Sequence, residues 1–457
     1  METSKAEISV LVQKQKAFFA TQQTKAIDFR LKQLSLLKQA ILKYQPEIEE
    51  ALWKDLHKSK EEVYLTEISI VLNEINYHLK KIKNWVRPKR IWSPISVLPA
   101  SSCIIYEPLG VALIISPWNY PFQLLINPLV GAISSGCCAL LKASPDAPNL
   151  ASIVEKMLTE CFPKEYITLV KGGRETNTYL LEERFDFIFF TGSPSLGKVV
   201  MKAAAENLTP IVLELGGKSP CIVDKDANLN LAAKRIAWGK LINAGQTCIA
   251  PDYLWVHRSV KKELLEKIAH HIKEMYGSDV KSSPFYPRII NDKSVERLSK
   301  FLNEGNIYLG GEVDFNQKYI APTIIDNVEP HFAIMQEEIF GPLLPVMAFD
   351  HIDEPISYIN QYAKPLALYY FGKNKTAKEV ISKTSSGGGC INDTLMHIAN
   401  HHLPFGGVGN SGMGKYHGKY SFLAFSNERA IVKTPTFLDL PFKYVPFKFF
   451  KWVKKLI

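Results

Sequence analysis

Residues 110–142 read GVALIISPWNYPFQLLINPLVGAISSGCCALLK, and this stretch decides the fold. A first apolar run, Val111 to Ile115, is followed by a segment of small residues that we predict to be a helix from Pro128 to Cys138. A second apolar run, Ala139 to Leu141, comes next. Short apolar runs that alternate with helical segments indicate a parallel sheet covered on both faces. The stretch therefore predicts one strand–helix–strand unit of an α/β protein.

The same alternation continues towards the C-terminus and predicts two α/β domains. Tyr166 to Val170 and Phe185 to Phe190 are the next strand candidates after the opening unit. A second α/β stretch runs from about residue 211 to residue 404. Its predicted elements are the strands Pro220 to Val223, Tyr253 to Val256 and Leu343 to Phe349, and the amphipathic helix Val260 to Tyr276.

The chain before this unit is predicted to be a helical scaffold that ends in an extended arm. Leu34, Leu37 and Ile41 share one helical face, and a similar pattern runs from Thr66 to Trp85. Prolines then punctuate residues 86–106, which contain β-prone segments. A proline-marked extended segment suits edge-strand pairing or a contact between subunits.

Composition limits the classes of function. Apolar residues make up 46% of the chain and charged residues 22%, values typical of a globular protein in water. The net charge of +10 is spread widely, so it is weak evidence for nucleic acid binding. The seven cysteines are odd in number and scattered, which favours reduced thiols. We find no apolar run of membrane-spanning length and no signal region, and we expect a cytoplasmic protein.

Two segments carry candidate chemistry, and they lie some thirty residues apart. Glu214 opens the sequence ELGGKSP, and Cys248 closes the sequence GQTC. A thiolate is a strong nucleophile, and a carboxylate can activate water. From the residues alone, a cysteine beside small residues is also compatible with a buried apolar position, and Glu214 with a turn.

Two loops that follow predicted strands contain candidate binding groups. Asn119, between Pro117 and Pro121, can donate an amide N–H to a developing oxyanion, although a plain turn would explain it equally well. Gly192 and Ser193 stand at a strand-to-helix turn, where free backbone N–H groups can hold an anion; an ordinary loop is the alternative. The usual Gly-x-Gly-x-x-Gly fingerprint is absent.

Six ordered motifs from the start of the chain to about Arg429 resemble the aldehyde dehydrogenase superfamily. They include Pro-Trp-Asn at residues 117–119, Phe-Thr-Gly-Ser at 190–193, the Glu214 and Cys248 segments, Glu-Ile-Phe-Gly-Pro at 338–342 and Pro-Phe-Gly-Gly at 404–407. The sequence CIAPDY at residues 248–253 is similar to the class-3 branch. The resemblance implies an aldehyde dehydrogenase-like α/β fold with two doubly wound domains.

The resemblance also implies a role for each motif residue. Cys248 would be the nucleophile, Glu214 the general base and Asn119 the oxyanion donor. Residues that would hold NAD or NADP are Ser116, Pro117, Trp118, Lys142, Gly192, Ser193, Glu338 and Phe340. Residues that would line the substrate tunnel are Tyr120, Asn243, Ile391 and Phe405. The histidine pairs 270–271 and 401–402 have no spaced ligand partners, so we predict no metal.

One motif departs from the family pattern and bears on the cofactor. Family members usually read Lys-Pro-Ser-Glu where this chain reads Lys142-Ala143-Ser144-Pro145. The carboxylate that resembling enzymes place on the adenosine ribose is therefore missing. We expect the chain to use NADP as well as NAD, because Lys142 can pair with a 2′-phosphate.

The resemblance gives a domain plan. A cofactor-binding domain is expected from residues 1–85 and 107–210, and a catalytic domain from residues 211–404. Residues 86–106 and 420–436 would form a bridging arm, with 86–106 pairing near Ile431 in a homodimer. Residues 437–457 are predicted to be a basic amphipathic tail that binds a membrane surface. The alternative is that its apolar face packs on the partner subunit or covers the substrate entrance. Its apolar face would contain Phe449, Phe450, Val453, Leu456 and Ile457, with Trp452 at the border and Lys448, Lys451, Lys454 and Lys455 opposite.

The expected reaction is oxidation of medium or long aliphatic, or aromatic, aldehydes to carboxylic acids through a thioester on Cys248. Two alternatives stay open at the level of the sequence. One is an acylating dehydrogenase that passes the acyl group to coenzyme A. The other is a non-catalytic protein on the same fold.

Overall fold

The computed structural model describes residues 2–447 and 449–456. The α-helices are α1 Lys5–Ala20, α2 Ile27–Leu56, α3 Lys60–Val63, α4 Ser69–Trp85, α5 Gln123–Ser135, α6 Pro148–Cys161, α7 Arg174–Glu182, α8 Pro194–Ala205, α9 Leu229–Leu241, α10 Lys261–Tyr276, α11 Asp292–Lys300, α12 Ala333–Gln336, α13 Asp353–Gln361, α14 Asn374–Lys383, α15 Lys419–Ala424 and α16 Phe450–Leu456. The strands are β1 Lys89–Ile91, β2 Ser101–Pro108, β3 Val111–Ile115, β4 Cys138–Lys142, β5 Ile167–Val170, β6 Phe187–Gly192, β7 Ile211–Leu215, β8 Pro220–Val223, β9 Tyr253–His257, β10 Asn306–Leu309, β11 Val313–Asp314, β12 Tyr319–Ile320, β13 Thr323–Asp326, β14 Leu343–Phe349, β15 Ala367–Phe371, β16 Gly388–Ile391, β17 Gly412–Met413 and β18 Ser426–Lys433.

The first domain is built on a six-stranded sheet in the order β17-β7-β6-β3-β4-β5. All neighbouring strands are parallel except β17, which pairs antiparallel with β7. The chain moves outward from β3 in both directions, so β3 and β6 meet where the strand order reverses. In open α/β sheets, ligands bind at that point, beyond the carboxyl ends of the strands.

The second domain contains a seven-stranded sheet in the order β10-β13-β14-β9-β8-β15-β16. It is parallel except for β10, which runs antiparallel to β13 at one edge. Two mostly parallel sheets confirm the predicted α/β class and its two domains. The expected start of the catalytic domain at residue 211 is wrong, because β7 pairs with β6 and belongs to the first sheet.

The predicted helix from Pro128 to Cys138 has the wrong bounds. The helix, α5, begins at Gln123 and contains Pro128, and it ends when Gly136 adopts φ +94°. Glycine reaches this left-handed conformation without the steric cost that a side chain imposes, so it stops the helix. Cys138 then starts β4 instead of ending the helix.

The arm forms a separate three-stranded sheet in the order β1-β2-β18. Ile431 is the register partner of Cys103 within the same chain, so residues 86–106 do pair with the segment near Ile431. The start of the predicted segment 420–436 is different from expectation, because residues up to Ala424 belong to the helix α15.

Of the N-terminal helices, α2 packs against α5 and α6 and α4 packs against α5, whereas α1 contacts β3, β4 and α7. Leu34, Leu37 and Ile41 are buried, as their helical spacing predicted. The predicted helix Thr66–Trp85 is interrupted at its start by a π-helical turn, Tyr64–Ile68, before α4 begins. Glu67, within this turn, accepts hydrogen bonds from the backbone at the start of α5.

The tail ends in the short helix α16. Of its predicted apolar face, Phe449 and Phe450 are exposed. Lys448 and Ile457 lie outside the described residues, as do the side chains of Trp452, Val453 and Leu456. Among the helices that the structure describes, none combines the length and apolar character needed to cross a bilayer.

Candidate active site

Cys248 follows a tight turn in which three consecutive residues have positive φ angles. The segment Ile242–Gly245 follows α9, and Asn243 and Ala244 both have positive φ angles, near 50°. Gly245 also has a positive φ, and a side chain there would clash with the carbonyl of Gly341. This compact turn places Cys248 on the wall of a cavity, where its side chain is half-buried.

The cavity has a volume of about 580 Å³ and is mostly apolar. Its polar part contains Cys248, Glu214 and Thr247, with Tyr120 beside them. Apolar side chains from several elements form the remaining walls, among them Leu65, Ile70, Leu124, Trp238, Phe285, Met396 and Phe405. A pocket of this size and polarity accommodates an apolar ligand with one reactive polar end.

Asn119 is held against the segment that carries the thiol. Its side-chain amide Nδ2 donates to the carbonyl of Gln246 at 3.0 Å, two residues before Cys248. The side chain of Asn119 is buried, with 2% exposed. Because the amide nitrogen carries two hydrogens, one N–H is left for an oxyanion beside the Cys248 sulfur. Tyr120 makes a second contact between the two segments, because its hydroxyl is 2.6 Å from Thr247 Oγ1.

Glu214 ends β7 inside the cavity. Only 3% of the residue is exposed, and neither carboxyl oxygen has a hydrogen-bond partner among the described residues. Burial raises the pKa of Glu214 well above its ordinary value, and the charge of Lys415 opposes this effect. A carboxyl group with a raised pKa is a better proton acceptor than an ordinary glutamate once it is ionised.

The surroundings of Cys248 favour the neutral thiol over the thiolate. Burial raises its pKa above that of a free thiol, and the carboxylates of Glu338 and Glu214 raise it further. A thiolate next to two carboxyl groups is disfavoured by like charge. The nucleophile therefore forms only when its proton is taken up by a base or released to solvent.

The residues predicted to hold the cofactor cluster at the carboxyl edge of the first sheet. The backbone N–H of Ser116, after β3, donates to the carbonyl of Lys142, at the end of β4, at 3.1 Å. Gly192 ends β6, and a side chain there would lie 2.6 Å from the Phe190 ring. Ser193 caps α8 by accepting from the Leu196 N–H at 3.4 Å. A helix N-terminus at this edge attracts anionic groups.

Lys142 has spare hydrogen-bond donors that fit a ribose or phosphate. Its ammonium group is buried and donates to the carbonyl of Ala143 at 2.7 Å. Burial lowers the pKa of Lys142 to about 8. An ammonium group has three N–H donors, so a polar ligand in the crevice would complete its hydrogen bonds.

Glu338 and Phe340 lie between this edge and the thiol. The Phe340 ring meets the Trp118 indole edge-on, with centroids 5.4 Å apart, and Pro117 precedes Trp118 in the same loop. Burial raises the pKa of Glu338 to about 8, and the charge of Asp252 adds to this effect. A side chain at Gly216 would clash with the Glu338 carboxyl group, so glycine is required there.

The four predicted tunnel residues divide into two pairs. Tyr120 and Phe405 line the cavity. Asn243 does not, because its side chain is fully buried and its amide donates to the carbonyl of Asn119 at 2.7 Å. Ile391 does not either, since it is 40% exposed on the edge strand β16. Residues of the helices and loops that do line the cavity, such as Leu65 and Met396, carry no motif that singles them out.

One group of residues in the described part of the chain has metal-ligand character, on α10. His270, His271 and Glu274 place ligand atoms within 4.8 Å of one another. Both ring nitrogens of His271 are already bonded, one to Glu274 at 2.7 Å and the other to Asn230 at 3.0 Å. None of these three residues lines the cavity, and we assign no metal to the cluster.

The geometry agrees with comparisons to known proteins. The model of the aldehyde dehydrogenase family matches residues 1–431. The chain belongs to the aldehyde dehydrogenase family. The 4,4'-diaponeurosporen-aldehyde dehydrogenase of Staphylococcus aureus is 49% identical over 443 residues, which cover 96% of each chain. The aldehyde dehydrogenase family 3 member A2 of Macaca fascicularis is 45% identical over 419 residues, or 92% of this chain and 86% of the relative.

A solved structure extends the comparison to the fold. The substrate-bound state of Staphylococcus aureus AldH superposes with a TM-score of 0.96 at 47% identity, over 98% of this chain and 99% of the other. The resemblance to the class-3 branch of aldehyde dehydrogenases is therefore confirmed. This aldehyde dehydrogenase is an oxidoreductase that acts on aldehydes.

Proposed function

We propose that this aldehyde dehydrogenase converts apolar aldehydes to carboxylic acids by covalent catalysis on Cys248. One observation carries the proposal: Cys248 and Glu214 line the polar part of a single, otherwise apolar cavity, and the side chain of Asn119 is hydrogen-bonded to the segment that carries the thiol. A nucleophile, an oxyanion donor and a base in reach of one reacting carbon are what acyl chemistry requires.

The first step is attack of the Cys248 sulfur on the aldehyde carbon. A C–S bond forms, the thiol proton leaves, and the carbonyl oxygen becomes an oxyanion. The free N–H of Asn119 and the backbone N–H of Cys248 stabilise that oxyanion. When bound, a nicotinamide cofactor would supply the oxidising chemistry: the hydrogen on the former aldehyde carbon would leave as hydride to the cofactor as the oxyanion re-forms the C=O bond, and the acyl group would stay on Cys248 as a thioester.

Glu214 completes the reaction by activating water against the thioester. Its carboxylate removes a proton from water, the hydroxyl bonds to the acyl carbon, and the C–S bond breaks to release the acid and the thiol. The unpartnered oxygens of Glu214 leave room for such a water. This favours hydrolysis over transfer of the acyl group to coenzyme A.

The cofactor proposal is NAD or NADP. Lys142 and Ser116 would hold the adenosine ribose, the N-terminus of α8 at Gly192 and Ser193 would hold phosphate, and Glu338 would hold the second ribose. Pro145 is exposed where a carboxylate would repel a 2′-phosphate, and Lys142 lies three residues before it. We therefore include NADP.

The apolar lining indicates the substrate. Large apolar side chains such as Leu65, Phe285 and Met396 form most of the cavity wall. Medium or long aliphatic aldehydes and aromatic aldehydes fill such a space, and small polar aldehydes do not.

Product analysis tests the proposal. Purified enzyme is incubated with decanal and with benzaldehyde, using NAD or NADP, with and without coenzyme A. We expect the free acid in equal yield whether or not coenzyme A is present. Acyl-coenzyme A as the main product, with little acid in its absence, would contradict the role of Glu214.

We also propose a homodimer built through the arm. The sheet β1-β2-β18 ends in exposed edge strands, and Trp92 beside it is 82% exposed. Exposed edges and apolar side chains are usually covered in stable proteins. Sedimentation at micromolar concentration should give a dimer, and Trp92→Ser with Ile95→Ser should shift it to monomer. A wild-type monomer contradicts the proposal.

For location, we propose a cytoplasmic enzyme whose tail contacts membrane surfaces. Phe447, Phe449 and Phe450 are all more than half exposed, and lysines lie beside them in the sequence. Apolar rings and basic groups together favour anionic bilayer surfaces. Flotation with anionic vesicles at low salt should recover the full chain but not a chain ending at residue 445. Equal recovery of both chains contradicts it.

A further inference from the structure

A fully buried ion pair lies behind the loop that carries Asn119. Lys58 follows α2, and Glu67 belongs to the π-helical turn Tyr64–Ile68. Lys58 Nζ is 2.7 Å from Glu67 Oε1, and the exposed fraction of both side chains is 0%. Burial of two charges costs desolvation free energy, so a pair in this position is weak evidence for stability. Its hydrogen bonds indicate a different purpose.

The carboxylate of Glu67 holds the start of α5. Its second oxygen, Oε2, accepts the backbone N–H groups of Phe122 at 2.8 Å and Gln123 at 3.2 Å. The helix has no capping side chain of its own at this end. The first N–H groups of a helix lack partners within it, and a negative charge there is favoured by the helix dipole. Glu67 thus fixes the point at which the loop becomes helix.

The ammonium group of Lys58 holds the other end of the same loop. It donates to the backbone carbonyl of Asn119 at 3.2 Å. It also lies 4.4 Å from the centroid of the Tyr120 ring, a cation–π distance. The carbonyl of Asn119 accepts a second hydrogen bond from Asn243 Nδ2 at 2.7 Å.

We infer that Lys58 and Glu67 form a positioning pair that sets the geometry of the oxyanion donor Asn119. The pair binds both ends of residues 119–123. Lys58 donates to the carbonyl of Asn119, and Glu67 accepts from the N–H groups three and four residues later. Neither side chain lines the cavity, so the pair acts through Asn119 and not on substrate. The inference rests on the oxyanion role proposed above for Asn119.

The π-helical turn gives a structural reason for the arrangement. Such turns are rare, insert one residue into a helix, and occur most often at functional sites. Val63 and Ile68, at the ends of this turn, are fully buried, so the turn is fixed by packing. An oxyanion donor needs accurate placement, because a hydrogen bond stabilises the transition state only in good geometry.

The experiment uses the double substitution Lys58→Met with Glu67→Gln, which removes both charges and leaves no unpaired buried ion. A matched control is Lys261→Met with Asp326→Asn, since that pair is partly buried and lies away from the cavity. The readout is the rate constant of the first turnover, followed as reduced cofactor by stopped flow. Cofactor Kd and the rate of Cys248 alkylation are measured in parallel.

We expect the first-turnover rate constant to fall about 10- to 100-fold in the Lys58/Glu67 variant and less than about threefold in the control. Cofactor Kd and alkylation of Cys248 should change less than about threefold, because neither depends on Asn119. A merely structural pair would instead change all three together: the first-turnover rate constant would fall, cofactor Kd would rise, and the rate of Cys248 alkylation would change by more than about threefold. A first-turnover rate within about threefold of wild type would overturn the inference.

A double-mutant cycle with Asn119→Ala tests whether the pair acts through Asn119. Asn119→Ala alone should slow the first turnover about 100- to 1,000-fold. Added to the double variant, it should bring the rate no lower than it does alone, because the pair acts through the same hydrogen bond. Multiplied effects would overturn the inference. An inert Asn119→Ala would overturn the proposed oxyanion role itself, and with it the pair.

A second, more conservative variant keeps the inference testable if the double variant does not fold. Glu67→Asp keeps the charge beside Lys58 but withdraws the carboxylate by one carbon from the N–H groups of Phe122 and Gln123. We expect the same selective loss of first-turnover rate. Wild-type turnover in this variant would contradict the function assigned to Glu67.

Discussion

The two walls of the cavity differ in how they are encoded. The motif wall contains Tyr120, Glu214, Thr247 and Cys248, which stand in or beside short recognisable sequences. The helical wall comes from residues 59–74 and contributes side chains such as Leu65 and Ile70. Its sequence shows only an amphipathic pattern. The comparison shows that the reactive groups of this protein can be predicted from short local sequences. The shape of the site and the placement of the loop with Asn119 depend instead on helices that are distant in sequence.

The largest expected effect breaks the motif wall. Cys248→Ala should lower aldehyde oxidation by at least about 10,000-fold, because no covalent intermediate can form. Cofactor affinity, measured by fluorescence titration, should change less than about threefold, since the thiol is not expected to contact the ribose. Residual turnover near the wild-type rate would remove Cys248 from the mechanism.

The next prediction acts on the helical wall alone. Ile70→Trp places a larger side chain into the cavity and should lower kcat/KM for decanal about 10- to 100-fold. The value for propanal should stay within about threefold, because the short chain does not reach that region. Ile381→Trp, on an exposed face of α14, is the matched control. Equal losses for both aldehydes would mean that Ile70 shapes the chemistry and not the chain pocket.

A third prediction concerns the charge balance of the motif wall. Since burial and the nearby carboxylates Glu338 and Glu214 raise the pKa of Cys248, the thiolate form accumulates only at pH above the ordinary thiol range. In the free enzyme, alkylation by iodoacetamide should rise about tenfold per pH unit and show no plateau below about pH 10. A plateau near pH 8 would show that the resting thiol is activated. Glu214→Gln should raise the rate, because one of the opposing charges is removed.

The smallest expected effect lies at the cofactor edge of the motif wall. Wild-type kcat/KM should favour NAD over NADP by less than about a thousandfold, roughly 4 kcal/mol. Pro145→Glu should then lower kcat/KM for NADP about tenfold or more and leave NAD within about threefold. A larger wild-type preference for NAD would mean that another acid excludes the 2′-phosphate. Glu2, whose charge reaches Lys142, is the first candidate.

The two walls also show how far the sequence predicts the molecule. The alternation of apolar runs predicted both sheets, and Val111–Ile115, Pro220–Val223 and Leu343–Phe349 have the predicted bounds. Asn119 and Glu214 were predicted as site residues from motifs; the structure places Glu214 in the cavity lining and bonds Asn119 to the segment that carries Cys248. The boundary at residue 211 was missed because sheet membership depends on which strand β7 pairs with, and no local pattern records that.

Asn243 and Lys58 show the two ways in which prediction from the sequence failed: one role was assigned wrongly and one was not noticed. Asn243 was assigned to the tunnel because it is close to Cys248 in sequence, but its positive φ turns the side chain towards the Asn119 carbonyl. Lys58 and Glu67 gave no signal, since charged residues in helices are usually solvated. A signal becomes visible only when the fold brings them together with residues 119–123.

Trapping of the covalent intermediate tests the central claim most directly. Glu214→Gln enzyme is mixed with decanal and cofactor, quenched in acid after the first turnover, and examined by intact mass and peptide mapping. The account predicts one acyl group per chain on Cys248, with the mass of the aldehyde less two hydrogen atoms, and one equivalent of reduced cofactor. Reduced cofactor without any acyl group on Cys248 would contradict it.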